Sequence, residues 1–181
     1  MSHSLVVVLG GTRSGKSGFG RERAAALAGS GPVAYVATAI AGDPELDDRI
    51  ARHRRDRPAE WATVEASPDL AGALRAVAPG TTILIDGLTL WASLVLADDP
   101  ARVDAVLDGA FADVLAAIAD HDGPVVVVSD EVGLGLVPLD PLGRAFRDLL
   151  GIAHQRLVGR SDEAWFMVAG RPINLPSRPS S

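Results

Sequence analysis

The sequence predicts a single α/β domain, residues 1–181, with a mostly parallel β-sheet and helices on both faces. Short apolar, valine-rich runs alternate with longer helical stretches, the pattern of a sheet buried on both sides. Apolar residues make up 48% of the 181 residues and aromatics only 4%, so the apolar mass is Ala, Val and Leu. A glycine-rich turn separates the first run from the first helix. No linker, repeat or low-complexity segment divides the chain.

The elements follow in order. Leu5–Leu9 reads as a buried strand, and Lys16–Ala28 as an Ala-rich helix broken by Gly29 to Pro32. Val33–Thr38 is a second strand. Asp43 to Arg57 is polar and helical, with Pro44 suited to a first turn. Trp61–Glu65 alternates as a short strand. Ser67 can cap a helix over Pro68–Val77, with Pro68 at its first position. Thr82–Asp86 is a strand and Leu88–Leu96 a short apolar helix. Pro100–Asp120 reads as one long amphipathic helix. Pro124–Ser129 is the purest strand, Pro141–Val158 a helix, and Ala164–Ala169 the last strand. Residues 172–181 read as a loose tail.

Charge and composition exclude several classes. The net charge is -6, which disfavours general nucleic-acid binding. With no cysteine, disulfides, zinc–thiolate sites and cysteine nucleophiles are excluded. No signal peptide is visible at the N-terminus. The longest strongly apolar charge-free stretch, Gly87–Ala97, falls well short of the ~20 residues of a membrane span. A cytoplasmic protein is expected. Of 17 basic residues, all but Lys16 are arginine.

That lysine stands in the clearest motif. Gly10, Gly11, Thr12, Arg13, Ser14, Gly15, Lys16 and Ser17 fit G-x-x-x-x-G-K-[ST], the phosphate-binding P-loop, between a strand and a helix. Its glycines let backbone N–H groups turn onto a phosphate, and the helix N-terminus adds a positive dipole end. Lys16 can reach the β- and γ-phosphates, and Ser17 can hold Mg²⁺ through its hydroxyl. A carboxylate at a neighbouring strand end is also expected for Mg²⁺. Asp86 and the pair Asp130–Glu131 both stand at such ends, and sequence pattern alone does not choose between them.

A second cluster runs from Asp47 to Pro58. It holds Arg49, Arg52, Arg54, Arg55 and Arg57 around His53. On a helix, Arg49, His53 and Arg57 share one face. The plain interpretation is a solvated face with ion pairs such as Glu45–Arg49. The sharper one starts from the nucleotide: arginine forks neutralise a triphosphate, and a neutral histidine can attack phosphorus and form a phosphoramidate. Of the other histidines, His3 lies near the N-terminus, His121 at a helix end and His154 within an Ala/Leu helix. None has metal-cage spacing.

In these segments the chain resembles the bifunctional adenosylcobinamide kinase / adenosylcobinamide-phosphate guanylyltransferase family of cobalamin biosynthesis, the CobU/CobP type. The likeness rests on residues 10–17, on Tyr-Val-Ala-Thr-Ala at 35–39, on the arginine–histidine run at 49–58 with Trp61 and residues 63–65, and on Ile-Asp-Gly-Leu-Thr at 85–89. It continues through Ser-Asp-Glu-Val-Gly-Leu-Gly-Leu-Val-Pro at 129–138 and residues 144–148 and 155–156. The resemblance implies a P-loop fold and a trimer. It implies phosphorylation of adenosylcobinamide by ATP or GTP, then guanylylation of a histidine by GTP and transfer of GMP to the cobinamide phosphate. By the same resemblance His53 is the covalent residue. Nucleotide contacts fall on Gly10–Ser17, on Ala37, Thr38 and Ala39, on Arg54, Arg55, Asp56 and Arg57, on Glu65 and on Asp86, with Mg²⁺ on Ser17 and Asp86.

Two positions depart from the family pattern. Ser129-Asp130 stands where Thr/Ser-Asn is expected, a change that can shift a phosphate or cobinamide contact. His154 stands where Asn is expected, a change read as neutral. Two other functions compete: a monofunctional P-loop small-molecule kinase with His53 a bystander, and a non-enzymatic nucleotide switch. Against the switch, a guanine-reading N-K-x-D motif cannot exist, because the one lysine is in the P-loop.

Overall fold

A computed structural model describes residues 4–38, 57–66, 68–97 and 99–177. Among these described residues seven strands form one sheet: β1 (Ser4–Gly10), β2 (Val33–Ala37), β3 (Ala62–Glu65), β4 (Thr82–Asp86), β5 (Pro124–Asp130), β6 (Glu163–Val168) and β7 (Arg171–Asn174). Their order across the sheet is β3-β2-β4-β5-β1-β6-β7. Every pairing is parallel except β6 with β7.

The described helices are α1 (Lys16–Ala28), α2 (Leu70–Arg75), α3 (Leu88–Leu96), α4 (Val103–Asp108), α5 (Ala110–Asp120) and α6 (Pro141–Val158), with a 3-10 turn at Pro100–Arg102. Strand residues alternate between faces. One set, including Val7, Ile83, Ile85, Val125 and Val127, joins a large core with residues from α2 to α6. The other, including Val6, Val8, Tyr35, Leu84, Val126 and Val128, packs against α1. Fully burying one such valine stabilises the fold by roughly 1.5–3 kcal/mol.

Helix α1 lies close to the sheet because Gly20 permits it. A Cβ there would stand 2.5 Å from Val128 Cγ2. Arg23 Nη2 donates to both carboxylate oxygens of Glu163, at 2.7 and 2.8 Å, and Phe19 meets Trp165 edge-on at 5.4 Å. These contacts fix the rotation of α1 against β6.

Three expectations are corrected. The stretch Pro100–Asp120 is not one helix: Gly109, at φ -107 and ψ -101, separates α4 from α5. The helix expected from Pro68 starts at Leu70, and Asp69 caps it by accepting from Gly72 N at 2.8 Å. Ser67, the expected cap, lies outside the described residues. Residues 171–174 form the antiparallel edge strand β7 rather than part of a loose tail. The helix expected over Asp43 to Arg57 falls outside the described residues except for Arg57, which sits in a bend.

Candidate phosphate-binding site

The site lies at the C-terminal edge of the parallel strands. There β1 ends in the loop at residues 10–17, β4 ends at Asp86 and β5 at Asp130. The register places Gly10 opposite Asp130, and Ala37 opposite both Asp86 and Glu65. Residues up to 120 positions apart in the chain are thus set at one level by sheet pairing alone.

The loop is tightly built. Arg13 and Gly15 take left-handed backbone conformations, at φ 57 and φ 95. Gly10 cannot carry a side chain, since a Cβ would meet Ser14 Oγ at 2.6 Å and Met167 O at 2.9 Å. Two strand ends hold the loop from behind: Gly170 N donates to Ser14 O at 2.9 Å, and Glu131 N to Gly10 O at 3.0 Å. Ser14 Oγ is buried and has no hydrogen-bond partner among the described residues. A buried orphan hydroxyl inside a glycine loop suits an anion as its missing partner.

Lys16 opens α1 and is buried at 6% exposure. Its Nζ pairs with Asp130 Oδ1 and lies 3.3 Å from Gly11 O. Ser17 Oγ donates to Asp86 Oδ1 at 3.0 Å, and Tyr35 Oη donates to Asp86 Oδ2 at 3.1 Å. Burial raises the Tyr35 pKa well above 10, and Asp86 raises it further, so the phenol is a fixed donor. Thr38, almost fully buried, donates from Oγ1 to Gly87 O at 2.8 Å and ties the end of β2 to the start of α3. Arg57 stands over Tyr35, its guanidinium carbon 4.4 Å from the ring centroid.

The two carboxylates that sequence pattern could not separate therefore differ. Asp130 is engaged by the lysine, whereas Asp86 faces the serine hydroxyl. Ser17 and Asp86 together offer hard oxygen donors of the kind magnesium takes. Among the described residues no group of three His, Cys, Asp or Glu is arranged to cage a metal by itself.

Of the residues expected at the site, Gly10 to Ser17, Ala37, Thr38, Glu65 and Asp86 gather at this edge, and Arg57 reaches it through Tyr35. Ala39, His53, Arg54, Arg55 and Asp56 lie outside the described residues. Sequence reasoning missed Tyr35 as a partner of Asp86. It also read His154 as a neutral change, whereas His154 Nε2 lies 2.8 Å from Ser129 Oγ, directly before Asp130. No spacing rule signals a pair 25 residues apart on a helix and a strand.

A mostly parallel sheet with a strand–glycine loop–helix cradle and a buried lysine defines a protein of the P-loop class. Within that class the chain belongs to the cobinamide kinase / cobinamide phosphate guanyltransferase family, whose profile it matches over residues 6–175. It is 45% identical to the bifunctional adenosylcobalamin biosynthesis protein CobP of Pseudomonas aeruginosa, across 96% of this chain and 98% of that protein. It is 36% and 33% identical to the bifunctional adenosylcobalamin biosynthesis proteins CobU of Salmonella typhimurium and Escherichia coli, each across 94% of this chain and 99% of the relative. No helix among the described residues is long and apolar enough to cross a membrane.

Proposed function

We propose that this chain carries out both transfers of its family in succession. In the first, the hydroxyl of adenosylcobinamide attacks the γ-phosphorus of ATP or GTP, and the nucleoside diphosphate leaves. In the second, His53 attacks the α-phosphorus of GTP. A nitrogen–phosphorus bond forms, the bond to the bridging oxygen breaks, and pyrophosphate departs. An oxygen of the cobinamide phosphate then takes the GMP and frees the histidine as adenosyl-GDP-cobinamide forms.

The observation that carries this reading is the convergence of Lys16, Ser17, Asp86 and Asp130 at one sheet edge, in a chain that matches the family over residues 6–175. Both transfers rely on positioning and charge neutralisation. The loop amides and Lys16 hold the γ-phosphate in one step and the leaving pyrophosphate in the other. Ala37, Thr38, Ala39, Arg54, Arg55, Asp56, Arg57 and Glu65 complete the nucleotide contacts. Ser17 and Asp86 would hold Mg²⁺, which would supply charge neutralisation to the phosphates. His53 replaces one hard displacement by two easier ones. The working form is a homo-oligomer, a trimer by family likeness, acting in the cytoplasm.

The test is intact-mass measurement after incubation with Mg²⁺ and GTP, kept neutral or alkaline because phosphoramidates are acid-labile. One added GMP that is absent in His53→Ala is the expected result. No adduct on a folded, GTP-binding chain removes the guanylyl-transfer half and leaves a kinase.

A further inference from the structure

Behind the cradle, side chains with no part in the transfers above form one continuous line. Asp130 N–H donates to Thr89 Oγ1 at 2.7 Å. Thr89 Oγ1 and Ser129 Oγ are 3.0 Å apart, Ser129 Oγ and His154 Nε2 2.8 Å apart. On the far side of the ring, His154 Nδ1 faces Glu131 Oε2 at 3.4 Å. Glu131 is itself held by Gly133 N, which donates to Oε1 at 2.6 Å.

The 3.4 Å approach of Nδ1 to Glu131 is an electrostatic contact rather than a hydrogen bond, and the proton directions are assigned from that carboxylate. With Nδ1 facing a carboxylate, Nδ1 carries the imidazole hydrogen and Nε2 is a bare acceptor. Ser129 must then donate to Nε2, and so accepts from Thr89. Thr89 in turn accepts from the Asp130 amide. All donors point one way, from Asp130 to Glu131. Burial lowers the His154 pKa below 6.5, partly opposed by Glu131 and Asp130, which keeps the ring neutral at pH 7. Thr89, Ser129 and His154 are all buried, so water does not compete for these bonds.

The line has a definite place in the fold. Thr89 stands in the first turn of α3, three residues beyond Asp86. Ser129 and Asp130 end β5, and His154 lies on α6. The three elements are thereby locked together at the level of both site carboxylates.

We propose that His154 is a positioning residue for the phosphate cradle: through Ser129 and Thr89 it fixes the Asp130 backbone, and with it the carboxylate that holds Lys16. This rests on reading Lys16 as the phosphate-binding cation. A purely structural role would make the same bonds matter for stability and leave the cradle's kinetics untouched.

The test uses the full chain with His154→Leu, His154→Gln, Ser129→Ala, the double variant His154→Leu/Ser129→Ala, and Lys16→Ala. The first readout needs no activity: hydrogen exchange at the Asp130 amide and the ¹⁵N signature of the His154 tautomer. Expected are the Nδ1–H tautomer and an Asp130 amide that exchanges faster in His154→Leu and Ser129→Ala but not in His154→Gln. The second readout is phosphoryl transfer to cobinamide. Here kcat falls about tenfold in His154→Leu and Ser129→Ala, with nucleotide KM within about twofold. The double variant is no slower than either single, and His154→Gln, which keeps an acceptor for Ser129, recovers kcat to within about threefold. Unchanged Asp130 exchange in His154→Leu overturns the proposal. So does an unchanged kcat in His154→Leu, an additive double variant, or a loss that glutamine does not rescue. If instead Lys16→Ala keeps its kcat, the reading of the cradle fails and the positioning role falls with it.

Discussion

The guanidinium of Arg57 stacks over the ring of Tyr35, 4.4 Å from its centroid, while the hydroxyl of that ring donates to Asp86. One side chain thus links the last arginine of the basic run to the carboxylate that faces Ser17. Tyr35→Phe keeps the stack and removes the donor to Asp86, at an expected cost of about 2 kcal/mol, since the bond is to a charged group. Tyr35→Leu adds the loss of the cation–π contact, about 0.5–1 kcal/mol more, besides a packing cost. Urea midpoints at constant slope measure both. Equal midpoints for wild type and Tyr35→Phe refute the link.

Lys16 and Asp86 are expected to fail differently. Lys16→Ala lowers phosphoryl transfer at least ~100-fold, as removal of a single preorganised charge-stabilising group does elsewhere. Asp86→Asn raises the Mg²⁺ concentration needed for half-maximal rate about tenfold, while nucleotide binding without Mg²⁺ stays close to wild type. Mg²⁺ titrations of the initial rate, with calorimetry on a non-hydrolysable nucleotide, separate the two. A normal Mg²⁺ requirement in Asp86→Asn moves the metal role away from Asp86.

Gly20→Ala tests the seat of α1. Alanine is worth about 1 kcal/mol over glycine in a helix. Against that gain, the added methyl would stand 2.5 Å from Val128 Cγ2, on a fully buried β-branched side chain that cannot turn away. Overpacking costs typically 1–3 kcal/mol. A net loss of about 1 kcal/mol is expected by chemical denaturation, and a stabilised variant rejects the close seat.

The buried His154 makes stability pH-dependent. Its folded pKa lies below the unfolded 6.5, so the unfolded chain binds more protons between the two values. The contribution is complete above pH 6.5 and declines as pH falls from 6.5 toward the folded pKa. His154→Gln removes this term. The difference in Tm between wild type and His154→Gln should therefore shift against the wild type between pH 7 and pH 5. A parallel fall of both Tm curves contradicts the buried neutral ring.

The sequence carried what is local. The loop motif, the helices at Lys16–Ala28, Leu88–Leu96 and Pro141–Val158, and the strand Thr82–Asp86 all lie where short-range pattern puts them. The break at Gly109 was hidden because Val106 and Leu107 before it, and Phe111 and Val114 after it, face the same core. The apolar period therefore runs through the kink. Strand β7 was hidden for the opposite reason: all four residues of Arg171–Asn174 are exposed, and the strand is held by backbone pairing to β6. At the site, Lys16 and Asp86 were legible as ends of a motif and a strand. Tyr35 with Asp86, and His154 with Ser129, are encounters made only by the fold, and no interval along the chain encodes them.

The strand that leads into the phosphate loop is flanked by β5 and β6. Leu5 N donates to Asp162 Oδ2 across 157 positions, and Val6 pairs in register with Val126. During synthesis, β1 leaves the ribosome long before either neighbour exists. A nascent chain that has not yet reached Pro124 carries its valine-rich first strand with both edges unpaired, an invitation to aggregate. Closing such distant pairs is slow because the loop entropy is lost before the contacts form. The strand that carries the phosphate loop therefore completes its pairing only after residues 124–130 and 163–167 have been made, so the earliest segment of the site is the last to be secured.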